Sequence, residues 1–183
     1  MGSIPIARSI LYPTNRRNMD KRLDFRFSIP LPPEGPLVEL SPEEAERMLL
    51  RRVKEEAGDP TQAMWNLAQF LKLQKRHEEA LDWLRKLMGR LPDAESKAEC
   101  VLTMGQAMEQ VGDYGAAVQY CREALALEPA HTFTWYFIDN DLGFSLNQLG
   151  QYADGERYCR KEIEIDSTRP NGFKNLGLAL SGC

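Results

Sequence analysis

Histidine is nearly absent from this chain: His77 and His131 are the only two in 183 residues. The four cysteines, Cys100, Cys121, Cys159 and Cys183, form no C-x-x-C pair. Zinc needs closely spaced thiolate and imidazole ligands, so no metal centre is expected, and no cofactor. Long apolar runs are also missing. Nothing approaches the roughly 20 residues that span a bilayer, which argues against an integral membrane protein. A basic face is missing too. The net charge is -4, and the small basic surplus of the first 40 residues is outweighed by an acidic surplus in the rest. Phosphate neutralisation requires clustered Lys and Arg, so no nucleic-acid partner is expected. With 43% hydrophobic and 27% charged residues, the composition is that of one globular unit. Isolated thiols such as Cys121 and Cys159 read as small buried hydrophobes, which suits a reducing, cytoplasmic setting.

The first 40 residues differ from the rest. They hold Pro5, Pro13, Pro30, Pro32, Pro33 and Pro36 and no sustained helical period, so residues 1–40 are expected to be extended or disordered. Gly2 to Ile10 lacks the charged start and apolar middle of a secretory signal. Gly2-Ser3-Ile4-Pro5 back-translates to GGT TCG ATT CCC, which resembles the T-arm of a transfer-RNA gene read in frame. Residues 1–18 are therefore a candidate mis-called start, with Met19 nearer the true one, against chance as the alternative. From Leu23 to Ile29 the residues alternate apolar and polar, the period of a strand with one buried face. A single strand has no partner in an otherwise helical chain, so this segment is expected to be disordered or an arm lying on the helices.

At Ser41-Pro42-Glu43-Glu44 a cap residue, a first-turn proline and a reciprocal glutamate stand in order. Ala45, Met48, Leu49 and Val53 follow at helical spacing, and Gly58 ends the pattern. Residues 41–58 are expected to form an N-terminal capping helix.

Beyond Asp59-Pro60 the sequence repeats. The first unit, about 61–94, shows Met64, Leu67, Ala68 and Leu71, then Ala80, Leu84 and Pro92. The second, about 98–131, shows Val101, Met104, Gly105 and Met108, the turn Gly112-Asp113-Tyr114, then Ala117, Ala124 and Pro129. The third, about 136–169, shows Leu142-Gly143 and Leu146, the turn Gly150-Gln151-Tyr152, and Gly155. A partial fourth, 170–183, begins at Phe173, Leu176 and Gly177. This resembles the tetratricopeptide repeat, over residues 59–183. The resemblance implies an all-α fold: a right-handed superhelical stack of helix-turn-helix repeats, three complete plus the first helix of a fourth. Gly143 to Gly177 matches the family's roughly 34-residue period. The two earlier intervals are longer, which places small insertions near Glu95–Lys97 and Thr132–Trp135 and predicts lengthened first helices there.

Two residues depart from the pattern. Asp139 falls where the family has a large apolar residue, and Glu162 where it usually has alanine. Either the insertion shifts the third unit, with Trp135 or Tyr136 taking over the packing, or its outer layer is partly solvated; the shift is the preferred expectation. Asp139 and Asp141 sit too close in sequence to share one helix face. No nucleophile or base accompanies them, so they read as solvated residues rather than an acid–base pair, and no catalytic residue is assigned.

In the tetratricopeptide family the first helices of successive hairpins line a concave groove for a peptide. By helical spacing the groove residues here are Gln62, Trp65, Gln69 and Lys72 in the first unit. The second offers Glu99, Leu102, Gln106 and Glu109, and the third Phe137, Asn140, Phe144 and Asn147. Aromatic rings supply contact area and amides bond a ligand backbone. Members of the family that hold a C-terminal carboxylate use a Lys, Arg and Asn cluster. Here Lys72 and Lys174 stand with Glu99 and Glu109, which predicts a neutral or basic protein or peptide instead. The chain is thus expected to be a non-enzymatic protein–protein interaction scaffold, with possible self-association through 170–183. The alternative is an accessory repeat region of a longer enzyme or secretion or assembly machine truncated at residue 183. The gene sequence beyond Cys183 separates the two.

Overall fold

Helix formation starts where the sequence places its cap. The backbone N–H of Ser41 donates to Glu44 Oε2 at 2.9 Å, and the Glu44 N–H donates to Ser41 Oγ at 3.3 Å. This reciprocal pair satisfies two of the orphan donors at the start of α1, Pro42–Glu55. The structure, a computed structural model, describes residues 12–14, 26–30, 37–55 and 58–182, with side chains from residue 40 onward.

Seven helices follow α1: α2 Thr61–Leu73, α3 His77–Met88, α4 Ala94–Val111, α5 Tyr114–Ala126, α6 Thr132–Gln148, α7 Tyr152–Ile165 and α8 Pro170–Gly182. They form three antiparallel hairpins and a single first helix. First helices α4 and α6, and α6 and α8, also pack directly on each other, whereas α3, α5 and α7 do not pack together in this way. First helices therefore lie on the inside of the bend. α4 and α6 run 18 and 17 residues, against 13 for α2. The added turns are tied together, because Glu95 accepts from the His131 N–H at 3.0 Å and from the Thr134 hydroxyl.

N-terminal to the stack lie β1 Tyr12–Thr14, β2 Arg26–Pro30 and β3 Leu37–Leu40, an antiparallel sheet in that order, with β2 and β3 against α1. This corrects the expectation of a partnerless strand. The segment 23–29 contributes β2, which pairs Phe27 with Leu40 and with Pro13. Pro13 lies on the edge strand β1 and Pro30 at the end of β2, where a missing N–H is tolerated. The suggested mis-called start, residues 1–18, lies outside the described residues except for β1.

Each hairpin closes at a small residue. A Cβ on Gly105 would lie 3.3 Å from Tyr120 Cβ, 3.4 Å from the Ala117 carbonyl oxygen and 3.4 Å from Cys121 Sγ. One repeat later a Cβ on Gly143 would lie 2.7 Å from Cys159 Sγ and 3.5 Å from the Gly155 carbonyl oxygen. The same partners recur at the same spacing, so the third unit keeps its register. That corrects the expected shift: Asp139 stays in the slot that Val101 occupies in the second unit, and Glu162 in that of Ala124. Both are buried, Asp139 3% and Glu162 0% exposed, so the solvated alternative is also wrong. Tyr136 does join the packing, at 2% exposed.

Chain reversal uses left-handed backbone. Gly112 has φ 81° and Gly150 φ 72°; the first hairpin puts Lys75 there instead, at φ 60°.

Gly177 is the exception among the small slots, because no atom lies within 4 Å of an added Cβ. A contrast follows. Gly105→Leu overpacks a closed contact and is expected to cost about 1–3 kcal/mol. Gly177→Ala, in an open helical position, is expected to add roughly 0.5–1 kcal/mol. Denaturant melts of both variants check this; equal stability of Gly105→Leu and parent would contradict the packing.

Candidate functional site

One polar residue recurs in every first helix, two positions before the small slot: Asn66, Thr103, Asp141 and Asn175. They are 7%, 5%, 5% and 5% exposed. A buried polar group costs stability unless it is bonded, so each needs a partner. Asn66 Oδ1 accepts from Gln62 Nε2 at 3.0 Å. The Thr103 hydroxyl donates back to the Glu99 carbonyl at 2.9 Å. Asp141 accepts from Gln106 Nε2 at 3.0 Å and from Asn140 Nδ2 at 2.8 Å. The Asn175 carbonyl accepts from Asn147 Nδ2 at 2.8 Å, and Asn175 Nδ2 donates to Asn140 Oδ1 at 3.4 Å.

These bonds join into a ladder across the repeats. Lys72 of α2 donates to Gln106 Oε1 of α4 at 3.2 Å, and Gln106 in turn donates to Asp141 of α6. Asn140 continues from α6 to α8. Beside it, the Ser145 hydroxyl of α6 donates to Glu109 of α4 at 2.5 Å. Burial dominates the electrostatics. Desolvation lowers the Lys72 ammonium to about 8 despite the attraction of Asp141 and Glu109. It raises both Glu109 and Asp141; their mutual repulsion adds to the Glu109 shift, while the Ser145 and Gln106 donors oppose the two shifts respectively. Asp139, on another face of α6, is raised to about 6 by burial, with Lys161 opposing. The expectation that Asp139 and Asp141 are solvated is thus wrong for both. They do point to different partners, as their spacing requires.

Four of the twelve residues assigned to the groove belong to this ladder: Lys72, Gln106, Glu109 and Asn140. Gln62 stands at its α2 end, bonded to Asn66. Glu99 lends its carbonyl to Thr103, and Gln69 is half-buried. Asn147 and Leu102 are 5% and 6% exposed, and Asn147 is spent on α8. Trp65 and Phe137 are half-buried against the apolar core. Phe144 meets Tyr114 edge to face, with centroids 5.8 Å apart. The face is thus polar along its middle and aromatic at its sides. Asp141, Ser145 and Asn175 were missed by helical spacing. The signal was the recurring polar residue before each small slot, as in Asp141-Leu142-Gly143 and Asn175-Leu176-Gly177.

No group of His, Cys, Asp and Glu suited to a metal occurs among the described residues. Cys100, Cys121 and Cys159 are free and buried, with thiols raised by desolvation, so they pack as small apolar residues. No described helix is long and apolar enough to cross a membrane.

The titrations give a pH dependence. A carboxyl raised in the folded chain keeps its proton where the unfolded chain has lost it. Stability is then full below the unfolded value and falls as pH rises through the folded one. Glu109, Asp141 and Asp139 all act in this sense. Lys72 acts in reverse, between about 8 folded and 10.5 unfolded, where stability recovers with rising pH. Thermal melts should show a lower Tm at about pH 8 than at about pH 5, and a flatter profile in Glu109→Gln. A Tm that climbs steadily over this interval would contradict the assignment.

Comparison with known proteins agrees with this architecture. Residues 60–129 match the tetratricopeptide repeat family model. No curated protein matches the chain. Among solved structures, MamA is similar with a TM-score of 0.62 at 20% identity, covering 77% of this chain and 78% of that one. MamA 41-end from Desulfovibrio magneticus RS-1 gives 0.61 at 20%, covering 77% and 75%. The nearly identical TPR-like repeats of a Podosopora anserina protein give 0.60 at 15%, covering 77% and 76%. At such identities the structures speak for the fold, a right-handed helical solenoid, and the family match speaks for residues 60–129, which are tetratricopeptide repeats.

Proposed function

We propose that this chain is a non-catalytic scaffold whose first-helix face takes an extended, neutral or basic segment of a partner protein. Tetratricopeptide repeats generally serve as protein–protein interaction scaffolds. The observation that carries the finer reading is the Lys72–Gln106–Asp141 ladder. It sets the partly exposed Lys72 and Gln106, backed by nearly buried Asp141, at one-repeat intervals along a single face, where the exposed groups can bond a backbone running across the helices. Phe144 and Trp65 flank that line with aromatic area. Its one lysine is already engaged by Gln106, and the carboxyl-bearing Glu99 and Glu109 lie on the same face, which disfavours an acidic ligand. A reducing, cytoplasmic setting belongs to the same reading, supported by three buried free thiols.

The test uses fluorescent peptides about 12 residues long that differ only in bearing neutral, Lys/Arg or Asp/Glu side chains, with anisotropy as the readout. The neutral or basic members should bind, and Phe144→Ala should weaken them by about 1–2 kcal/mol. Preference for the acidic member, or indifference to both Phe144→Ala and Gln106→Ala, would remove the reading. Trp65→Ala should in addition lower the Tm, because that ring packs on the core.

A second interaction is favoured by the outer side of α8. Phe173 and Leu180 are 52% and 54% exposed, and with Leu176 and open Gly177 they make a stripe at helical spacing. Self-association through 170–183 is the expected consequence. Light scattering on the full chain and on Phe173→Ser/Leu180→Ser checks it; a monomeric parent at high concentration defeats it.

A further inference from the structure

The third hairpin differs from the second at matched positions. Ala98, Val101 and Ala124 become Tyr136, Asp139 and Glu162 one repeat later. In the second hairpin Ala124 shares an apolar cluster with Ile138 of the next first helix. The corresponding pair one repeat on is Glu162 and Gly172. The small residue has become large, and the large one has been reduced to a hydrogen. An added Cβ on Gly172 would lie 3.2 Å from both Cδ and Oε2 of Glu162, and 2.8 Å from Ile163 Cγ1. The glycine is therefore what makes room for the glutamate under α8.

That carboxyl is badly placed as an ion. Glu162 is wholly buried, and neither of its oxygens has a hydrogen-bond partner. From α6 the Tyr136 hydroxyl faces it, outside good bonding geometry yet near enough to favour its charge in part, which opposes but does not outweigh desolvation. Asp139 and Asp141, also on α6, repel its charge. On α7 it bears on the Cys159 thiol. α8 faces it with Gly172, which has nothing to donate from a side chain. The positive group that acts on it is Arg169. Arg169 is held elsewhere: its guanidinium lies 4.9, 4.7 and 5.6 Å from the ring centroids of Phe133, Tyr136 and Phe137, and Arg169 Nε donates to Asp166 at 3.0 Å. A neutral carboxyl can sit in such a site. A carboxylate without a partner cannot remain there unless something moves.

α8 is the element able to move. It is the outermost described helix, packs on α6 and α7 alone, and leaves its far side exposed. We propose that Glu162 is a proton-operated latch for the last helix: protonated, it lets α8 lie on the third hairpin, and ionised, it lifts α8 so that the carboxylate reaches water or Arg169. Desolvation holds the Glu162 proton above the ordinary range, so release lies on the alkaline side of that range. Lifting α8 frees Asn140 and Asn147 from Asn175, and the first-helix face then loses its fourth member.

Amide hydrogen exchange on the full chain tests this, with residues of α8 compared against α4 as internal reference. After correction for intrinsic exchange, protection of α8 relative to α4 should fall by up to about tenfold per pH unit above the ordinary carboxylate range, the slope of one released proton. Glu162→Gln, of equal size, should keep α8 protected across the same range, while Asp139→Asn should still release it. Unchanged α8 protection from about pH 5 to about pH 8 would overturn the latch. So would a pH-dependent release that survives in Glu162→Gln or vanishes only in Asp139→Asn.

Discussion

Everything in this stack depends on how closely the two helices of a hairpin approach at one small residue. Gly105 touches Ala117, Tyr120 and Cys121 of the facing helix, and Gly143 touches Gly155 and Cys159. A bulkier side chain would push the axes apart and open the apolar contacts on either side. No hairpin can bury its own apolar face, so each relies on the next for a core. Hairpins held at one constant separation stack with one constant step. That step is what brings Lys72, Gln106 and Asp141 within bonding distance although they lie on three different helices.

The ladder is a consequence of this regularity and also a guard on it. Asn66, Thr103, Asp141 and Asn175 occupy one equivalent position in four helices, all nearly buried. Asn66 and Thr103 are satisfied within their own helices, whereas Asp141 and Asn175 are bonded across repeats, so they are satisfied only where the partner helix stands. A slip of α6 against α4 by one residue would strand the Asp141 carboxylate and the Gln106 amide together. Charge raises the stakes, since Glu109, Asp141 and Lys72 are all displaced by burial from their ordinary titration ranges. Stability is given up at these positions, and definition of the inter-repeat register is gained.

Most of the helical framework was legible in the sequence because its signals are local. The capping box at Ser41, the glycine turns at Gly112 and Gly150, and the small slots each act within a few residues of themselves. Partners of the strand near Phe27 were not legible, because pairing joins segments separated by prolines and by irregular spacing. The ladder was half legible. Helical spacing found Lys72, Gln106, Glu109 and Asn140 but could not say that Gln106 bonds Asp141 one repeat away. Asp139 and Glu162 were misjudged for a plain reason: a carboxylate in a core slot reads as a register error or an exposed residue when the slot's walls are unknown. The repeating Cys121 and Cys159, each one repeat apart against a glycine, carried the information that the register holds.

The helix with the least periodic sequence turns out to be the most enclosed. α6 is buried at Thr134, Tyr136, Ile138, Asp139, Asp141, Leu142, Gly143, Ser145, Leu146 and Asn147, positions that go round the whole cylinder. α4, α5, α7 and α8 all press on it, so no face is left to be uniformly polar. Enclosure on every side would ordinarily call for apolar residues throughout. Here the enclosing surfaces differ: α5 and α7 present Cys121, Cys159 and other small apolar groups, while α4 and α8 present Gln106, Glu109 and Asn175. The mixed character of α6 follows from that division, with Leu142 and Leu146 facing the second helices and Asp141 and Ser145 bonded to the first. Asp139 breaks the division, being an acid in the slot that Val101 fills in α4, and Glu162 breaks it from the α7 side. The polarity of the inner face has in this hairpin spread into the apolar core, where burial holds the protons of Asp139 and Glu162 above the ordinary carboxylate range.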